Sequence, residues 1–225
     1  NAPSTVHVFE KTVQLDTYIR NNSQILGERV VDAFGGALPY LLKVLDAHDM
    51  LSIQAHPSKI QAEEGFAREN ELEIPHDAPH RSYKDDNHKP EVHVALTDFW
   101  MLHSFRPTEE IEHLLQITTE FKSLAPILKT DGIKGLYKKI MLAPQEEIDS
   151  LLEPLIQRLE NETTDDMDSP NYWALKASKV FPLPAGHRDR GIFSIYLLNL
   201  LHLKPGEATF QDAGELHAYL YGTNI

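Results

Sequence analysis

Three short stretches of this sequence gather side chains that can hold a cation or move a proton. Gln54 and His56 stand two apart in Leu51-Ser52-Ile53-Gln54-Ala55-His56-Pro57. In an extended segment, residues i and i+2 share a face, so both can reach one point. Imidazole is the commonest nitrogen ligand for zinc. The second stretch is Tyr83-Lys84-Asp85-Asp86-Asn87-His88-Lys89-Pro90-Glu91, where Lys89 and Glu91 flank a proline at the start of a predicted strand. A carboxylate is a good hard ligand. A lysine beside a bound cation has its pKa pushed down, because a second positive charge is disfavoured there, and so becomes a base usable near neutral pH. The third is Glu215-Leu216-His217-Ala218-Tyr219-Leu220, which puts His217 on a predicted strand just after a tight turn. Taken singly, these also read as a polar strand face, a charged surface turn, and a packed or exposed histidine.

The elements that must position these residues follow from apolar spacing. Residues 15–34 have helical spacing, through Leu15, Tyr18, Ile19, Val30, Val31 and Phe34, and Gly35-Gly36 stops the run. Residues 38–56 read as strand, turn and strand, with the turn at Asp46 to Asp49. Pro57 and Ser58 open a short helix to about Arg68, and residues 70–87 are a polar loop. Glu91 to Leu96 alternates as a strand, with Val92, Val94 and Leu96 on one face. After Arg106-Pro107 the texture is helical, with Thr108 as a cap and Glu109 and Glu110 in the first turn. The stripe Ile148, Leu151, Leu152, Leu155, Ile156 and Leu159 is helical too, with a kink expected at Pro154. Leu197 to Leu203 reads as a strand, Lys204 to Glu207 as a turn, and 207–221 as a hairpin around Asp212-Ala213-Gly214. The order is β, then all helix, then β again, which is the pattern of a β-barrel interrupted by a helical insertion.

The formal net charge of -13, from 34 acidic and 21 basic residues, argues against a nucleic-acid partner, since phosphate backbones are bound by basic surfaces. One local cluster of lysine and arginine can still bind an anionic sugar phosphate. The chain has no cysteine, which excludes disulfides, thiolate metal sites and a cysteine nucleophile and fits a reduced, cytoplasmic setting. No apolar run reaches the ~18 residues of a membrane helix.

Together, and in this order, the three stretches resemble type I phosphomannose isomerases. Phe105-Arg106-Pro107, the run from Leu38 to Leu45, and Leu203-Lys204-Pro205-Gly206-Glu207 fit as well. The resemblance covers nearly the whole chain, and His88-Lys89-Pro90-Glu91 closes its most diagnostic part. It implies a mixed, mainly β fold: a cupin-type jelly-roll barrel with an inserted all-helical domain. Residues 1–106 would be the first part of the barrel with short helices, 107–185 the insertion, and 186–225 the return strands completing the metal site.

The resemblance also implies one Zn2+ per chain, held by Gln54, His56, Glu91 and His217. With one anionic ligand, such a zinc keeps net positive charge and acts as a Lewis acid. The implied reaction interconverts mannose 6-phosphate and fructose 6-phosphate through an enediol, with Lys89 as base and His88 assisting ring opening or proton traffic. Lys43 and Ser52 match positions that hold the substrate phosphate. The partner expected is a small-molecule sugar phosphate and the expected state a monomer.

The sequence departs from the family's pattern in places. His93 stands where the family usually has an apolar residue, and Leu216 where proline often precedes the last histidine. The family carries an arginine and a lysine just downstream of the position of Ile225 and further strands before Asn1, so the chain is expected to be a fragment. Two other functions compete. A non-catalytic cupin-like sugar-binding protein would have lost the base, and Lys89 beside Glu91 argues against it. A metal-dependent cupin oxygenase favours several histidines with one carboxylate around an open iron. Gln54 speaks against that reading and His93 for it.

Overall fold

The computed structural model describes residues 4–162 and 165–225. They fall into two compact units, divided between Lys43 and Val44. The first holds an antiparallel hairpin, β1 (Thr5–Val8) and β2 (Lys11–Gln14), followed by α1 (Leu15–Asn21), a 3-10 turn at Ser23–Leu26, and α2 (Glu28–Phe34). The single helix expected over 15–34 is therefore two. Gly27, at φ 81°, takes a conformation no helix contains, and Gly35, at φ 61°, ends the second in the left-handed region.

The second unit is layered. Its main sheet has four antiparallel strands in the order β3-β8-β5-β6: β3 (Leu45–Ala47), β5 (Phe99–Phe105), β6 (Leu198–Leu203) and β8 (His217–Asn224). A separate antiparallel pair is formed by β4 (Glu91–Val94) and β7 (Ala208–Gln211). Side chains alternate across the main sheet. Trp100, Leu102, Ala218 and Leu220 point to one face, where they join the helical core. Phe99, Met101 and Tyr219 point to the other, where they pack with Ala47 and Ala95.

Between β5 and β6 the described residues form only helices: α4 (Thr108–Ile117), a 3-10 turn at Thr119–Leu124, α5 (Ala125–Leu142), α6 (Gln145–Asn161), α7 (Pro170–Val180), a short turn at Pro184–Gly186, and α8 (Ile192–Leu197). They close over Phe121, Leu136, Leu152, Trp173 and Phe193, all buried. One more helix, α3 (Lys59–Glu71), begins with a capping box in which Ser58 and Gln61 satisfy each other's backbone N–H groups.

Several expectations need correction. The chain is 46% helical and 19% strand, so the fold is mixed α/β rather than mainly β. Nor do the described strands close into a jelly-roll barrel. Closure needs one continuous ladder, whereas here a four-stranded sheet and a two-stranded pair are linked by a single bridge, Ala95 to Asn224.

The hairpin expected over 207–221 is not one. The turn at Asp212–Gly214 carries the chain from one sheet to the other, so β7 pairs with β4 and β8 with β3 and β5. Residues 38–56 contain only β3 and an isolated bridge at Gln54, and Leu41, Leu42 and Val44 are exposed. Thr108 does not cap α4; it is the first helical residue, behind Pro107. The kink lies in α5 at Gly132 rather than at Pro154, which α6 runs through. A proline inside a helix costs about 3 kcal/mol. Ile148, Leu152, Leu155, Ile156 and Leu159 are all buried on α6, and at about 1.5–3 kcal/mol each they outweigh it.

Candidate metal centre

Gln54 and His217 are bound backbone to backbone. The Gln54 N–H donates to the His217 carbonyl at 2.8 Å, and the His217 N–H donates back at 2.9 Å. Such directly opposed residues project from the same face of an antiparallel pair. His56, two residues beyond Gln54, ends this extended segment, because Pro57 and the Ser58 cap turn the chain into α3. Its backbone is tied down by the Gly214 N–H, which donates to the His56 carbonyl at 2.7 Å. Glu91 opens β4 opposite Gln211, and His217 opens β8 opposite His103.

This framework brings three side chains to one place. His56 Nε2 lies 3.3 Å from Glu91 Oε1, and His217 Nε2 lies 3.6 Å from Glu91 Oε2. One ligand atom from each of His56, Glu91 and His217 falls within 4.8 Å of the others. Bonds of about 2.0–2.2 Å to a tetrahedral zinc place neighbouring ligand atoms ~3.4 Å apart, so the spacing fits a metal of that size. Gln54, on the same face as His217, can supply a neutral oxygen; its side chain is exposed.

The surroundings of His217 suit ligation. His217 Nδ1 lies 3.2 Å from the Glu215 carbonyl and 2.5 Å from the side-chain amide of Gln211. The Glu215 carbonyl can only accept from Nδ1, whereas the Gln211 amide nitrogen can only donate to it, so the two contacts call for opposite states of Nδ1; a proton on Nδ1 would leave the Nε2 lone pair for a metal. Burial pushes the pKa of His217 down, so the ring is held neutral, the form that binds metals.

Gln211, His103 and Tyr219 have no role that the sequence alone assigns. Gln211 becomes a neighbour of His217 only through the sheet-to-sheet crossing. His103 reaches the Phe210 carbonyl at 3.1 Å and Glu215 at 3.5 Å. Tyr219 carries a signal that could have found it, since it is i+2 from His217 and shares its face; burial pushes its phenol pKa up. His93 is buried on the site face but falls outside the three-residue cluster. The face that carries Val92 and, just beyond β4, Leu96 is the exposed one, while Glu91 and His93 face inward.

The remaining sequence-derived residues, His88, Lys89, Ser52 and Lys43, are all exposed. His88 and Lys89 are exposed in the loop just before β4. Ser52, also exposed, borders a cavity of about 370 Å³ between the main sheet and the helices, with Ile53, Tyr137, Met141, Arg190 and Leu216. Lys43 is the last, exposed residue of the first unit.

Comparison with known proteins places this geometry. Residues 1–108 match the model of the phosphomannose isomerase type I catalytic domain. The mannose-6-phosphate isomerase of Salmonella typhimurium is 38% identical over 220 residues, which are 96% of this chain and 54% of that protein. The enzyme of Rattus norvegicus is 37% identical over 96% of this chain and 51% of its own. The crystal structure of the Salmonella typhimurium enzyme bound to substrate and a zinc atom superposes with a TM-score of 0.84 at 36% identity, covering 99% of this chain and 55% of that one. The chain thus spans about half the length of the curated relatives it matches. In both sequence and fold, over almost its whole length, the chain is similar to type I phosphomannose isomerases.

Proposed function

We propose that this chain carries the zinc-binding half of an aldose–ketose isomerase acting on mannose 6-phosphate and fructose 6-phosphate. The observation that carries the reading is the convergence of His56 and His217 on the two oxygens of Glu91. Gln54, His56, Glu91 and His217 would hold the ion: three neutral donors and one carboxylate. When bound, zinc supplies a Lewis acid that polarises substrate oxygens.

The other roles belong to the protein's own side chains. Lys89, two residues before Glu91, is the base that carries a proton between C1 and C2 of the sugar, and His88 assists ring opening. Lys43 and Ser52 offer an ammonium and a hydroxyl to the phosphate. Residues 107–185 form an inserted helical domain between two parts of a cupin-type β-fold, and the protein works as a monomer.

Replacing Lys89 with Met in the whole protein is expected to leave zinc content unchanged and to lower isomerase turnover by ~10²-fold or more, the scale of a lost general base. Affinity for substrate should change much less. Full zinc with nearly normal turnover would remove Lys89 from the mechanism.

A further inference from the structure

His93 carries a buried nitrogen that the site just described does not use. Only 4% of the residue is exposed, and Nε2 has no hydrogen-bond partner among the described residues. That nitrogen faces Glu91 Oε2 at 3.6 Å. The other ring nitrogen, Nδ1, lies 3.4 Å from the Tyr219 hydroxyl, which is itself 3.5 Å from Glu91 Oε2. The two rings meet edge to face, with centroids 5.2 Å apart. Leaving a buried polar atom unpaired costs about 1–3 kcal/mol, so a partner for Nε2 is expected.

The proton arrangement follows from electrostatics. Tyr219 has one hydroxyl proton. If Nδ1 held the ring proton, the Nε2 lone pair would face a carboxylate oxygen, which is repulsive. If Tyr219 instead donates to Nδ1, the ring proton sits on Nε2 and points at Glu91, which accepts it. A ring proton on Nε2 makes the His93–Glu91 contact attractive, and the single Tyr219 proton then serves either His93 Nδ1 or Glu91 Oε2.

We propose that His93 is a positioning residue for the metal centre: through Nε2–H it holds Oε2 of Glu91, aided by Tyr219, and leaves Oε1 beside His56 as the oxygen free to bind the ion. This inference rests on the metal reading above and adds to it a hydrogen bond that an apolar residue at position 93 could not make. Such a bond sets the rotamer of the carboxylate and draws charge away from it, which makes the metal a stronger Lewis acid.

The test uses the 225-residue chain with cobalt(II) in place of zinc. Metal affinity is read by chelator competition, coordination by the visible absorption of cobalt, and ligand count by X-ray absorption. His93→Leu should weaken binding by about 10–100-fold, the range for lost partners of metal ligands, and shift the cobalt bands without changing the number of nitrogen ligands. His93→Gln, which keeps an N–H donor, should recover part of both. Tyr219→Phe, which keeps the ring packing, should move both in the same direction by less. Affinity and spectrum unchanged in His93→Leu would overturn the proposal, and so would the loss of one nitrogen ligand, which would make His93 a ligand itself. A wild-type chain that binds no cobalt would instead overturn the metal reading on which the proposal stands.

Discussion

The helical block and the strands around Glu91 bury their side chains by opposite rules. In α6 the residues inside are Ile148, Leu152, Leu155, Ile156 and Leu159, and apolar spacing alone identifies them. In β4 the residues facing inward are Glu91 and His93, while Val92 is left 59% exposed. Hydrophobic patterning reads a fold wherever burial is the purpose of a face. It misreads a face whose purpose is to gather polar groups, because such a face is stabilised by mutual hydrogen bonds and by what it binds rather than by removal from water.

Four substitutions test that contrast. The largest effect should come from Trp173→Ala, which empties the centre of the helical core and should cost about 3–5 kcal/mol in chemical denaturation. Glu91→Ala should do the reverse. It should lower zinc affinity by ~10²-fold or more, about 3 kcal/mol, while the metal-free chain loses no apolar packing and only about 1–3 kcal/mol, that of a buried His93 Nε2 left without its acceptor. A large loss of apo stability would show that the site face is structural after all.

An intermediate effect is expected at Glu120, a half-buried carboxylate of the helical block. Its carboxylate accepts two bonds from Arg158, at 2.8 and 3.0 Å, and the Arg158 guanidinium holds its pKa below the ordinary carboxylate value. A depressed folded pKa contributes stability that is fully present above the unfolded value near 4.5 and is lost as pH falls through the folded value. Glu120→Gln should therefore cost about 1–2 kcal/mol at neutral pH, and the gap from wild type should close on acidification below about pH 4.5. A gap independent of pH would assign the effect to packing. The smallest change should be Val92→Thr: although apolar in sequence, the side chain faces outward, and the cost should stay within about 0.5 kcal/mol. A larger loss would mean the outer face of β4 is covered.

The same contrast explains what is legible in the sequence. Gln54, His56, Glu91 and His217 can be picked out because two of them share an i, i+2 face and the rest belong to recognisable runs. Gln211 cannot, since its closeness to His217 depends on β7 and β8 lying in different sheets. His93 is visible only as an oddity, because a buried donor is defined by the neighbours it lacks. The helices after Pro107 can be read from their stripes, but the break in α5 at Gly132 cannot, as glycine spacing carries no periodic signal. A closed barrel is more than the sequence supports, because alternation tells which residues face together, not which strands pair.

The crossing from β7 to β8 also sets the order in which the site can assemble. His56 and Glu91 are separated by little more than α3 and its loop, whereas the path from Glu91 to His217 runs through the entire helical block. That path is roughly four times longer, and as a flexible chain its closure would cost about 1 kcal/mol more in loop entropy. A folded helical block removes most of that penalty by bringing the end of β5 and the start of β6 together as hydrogen-bonded neighbours. His217 is therefore expected to join the site after His56 and Glu91. The rate of metal capture during refolding should follow the rate at which the helices form.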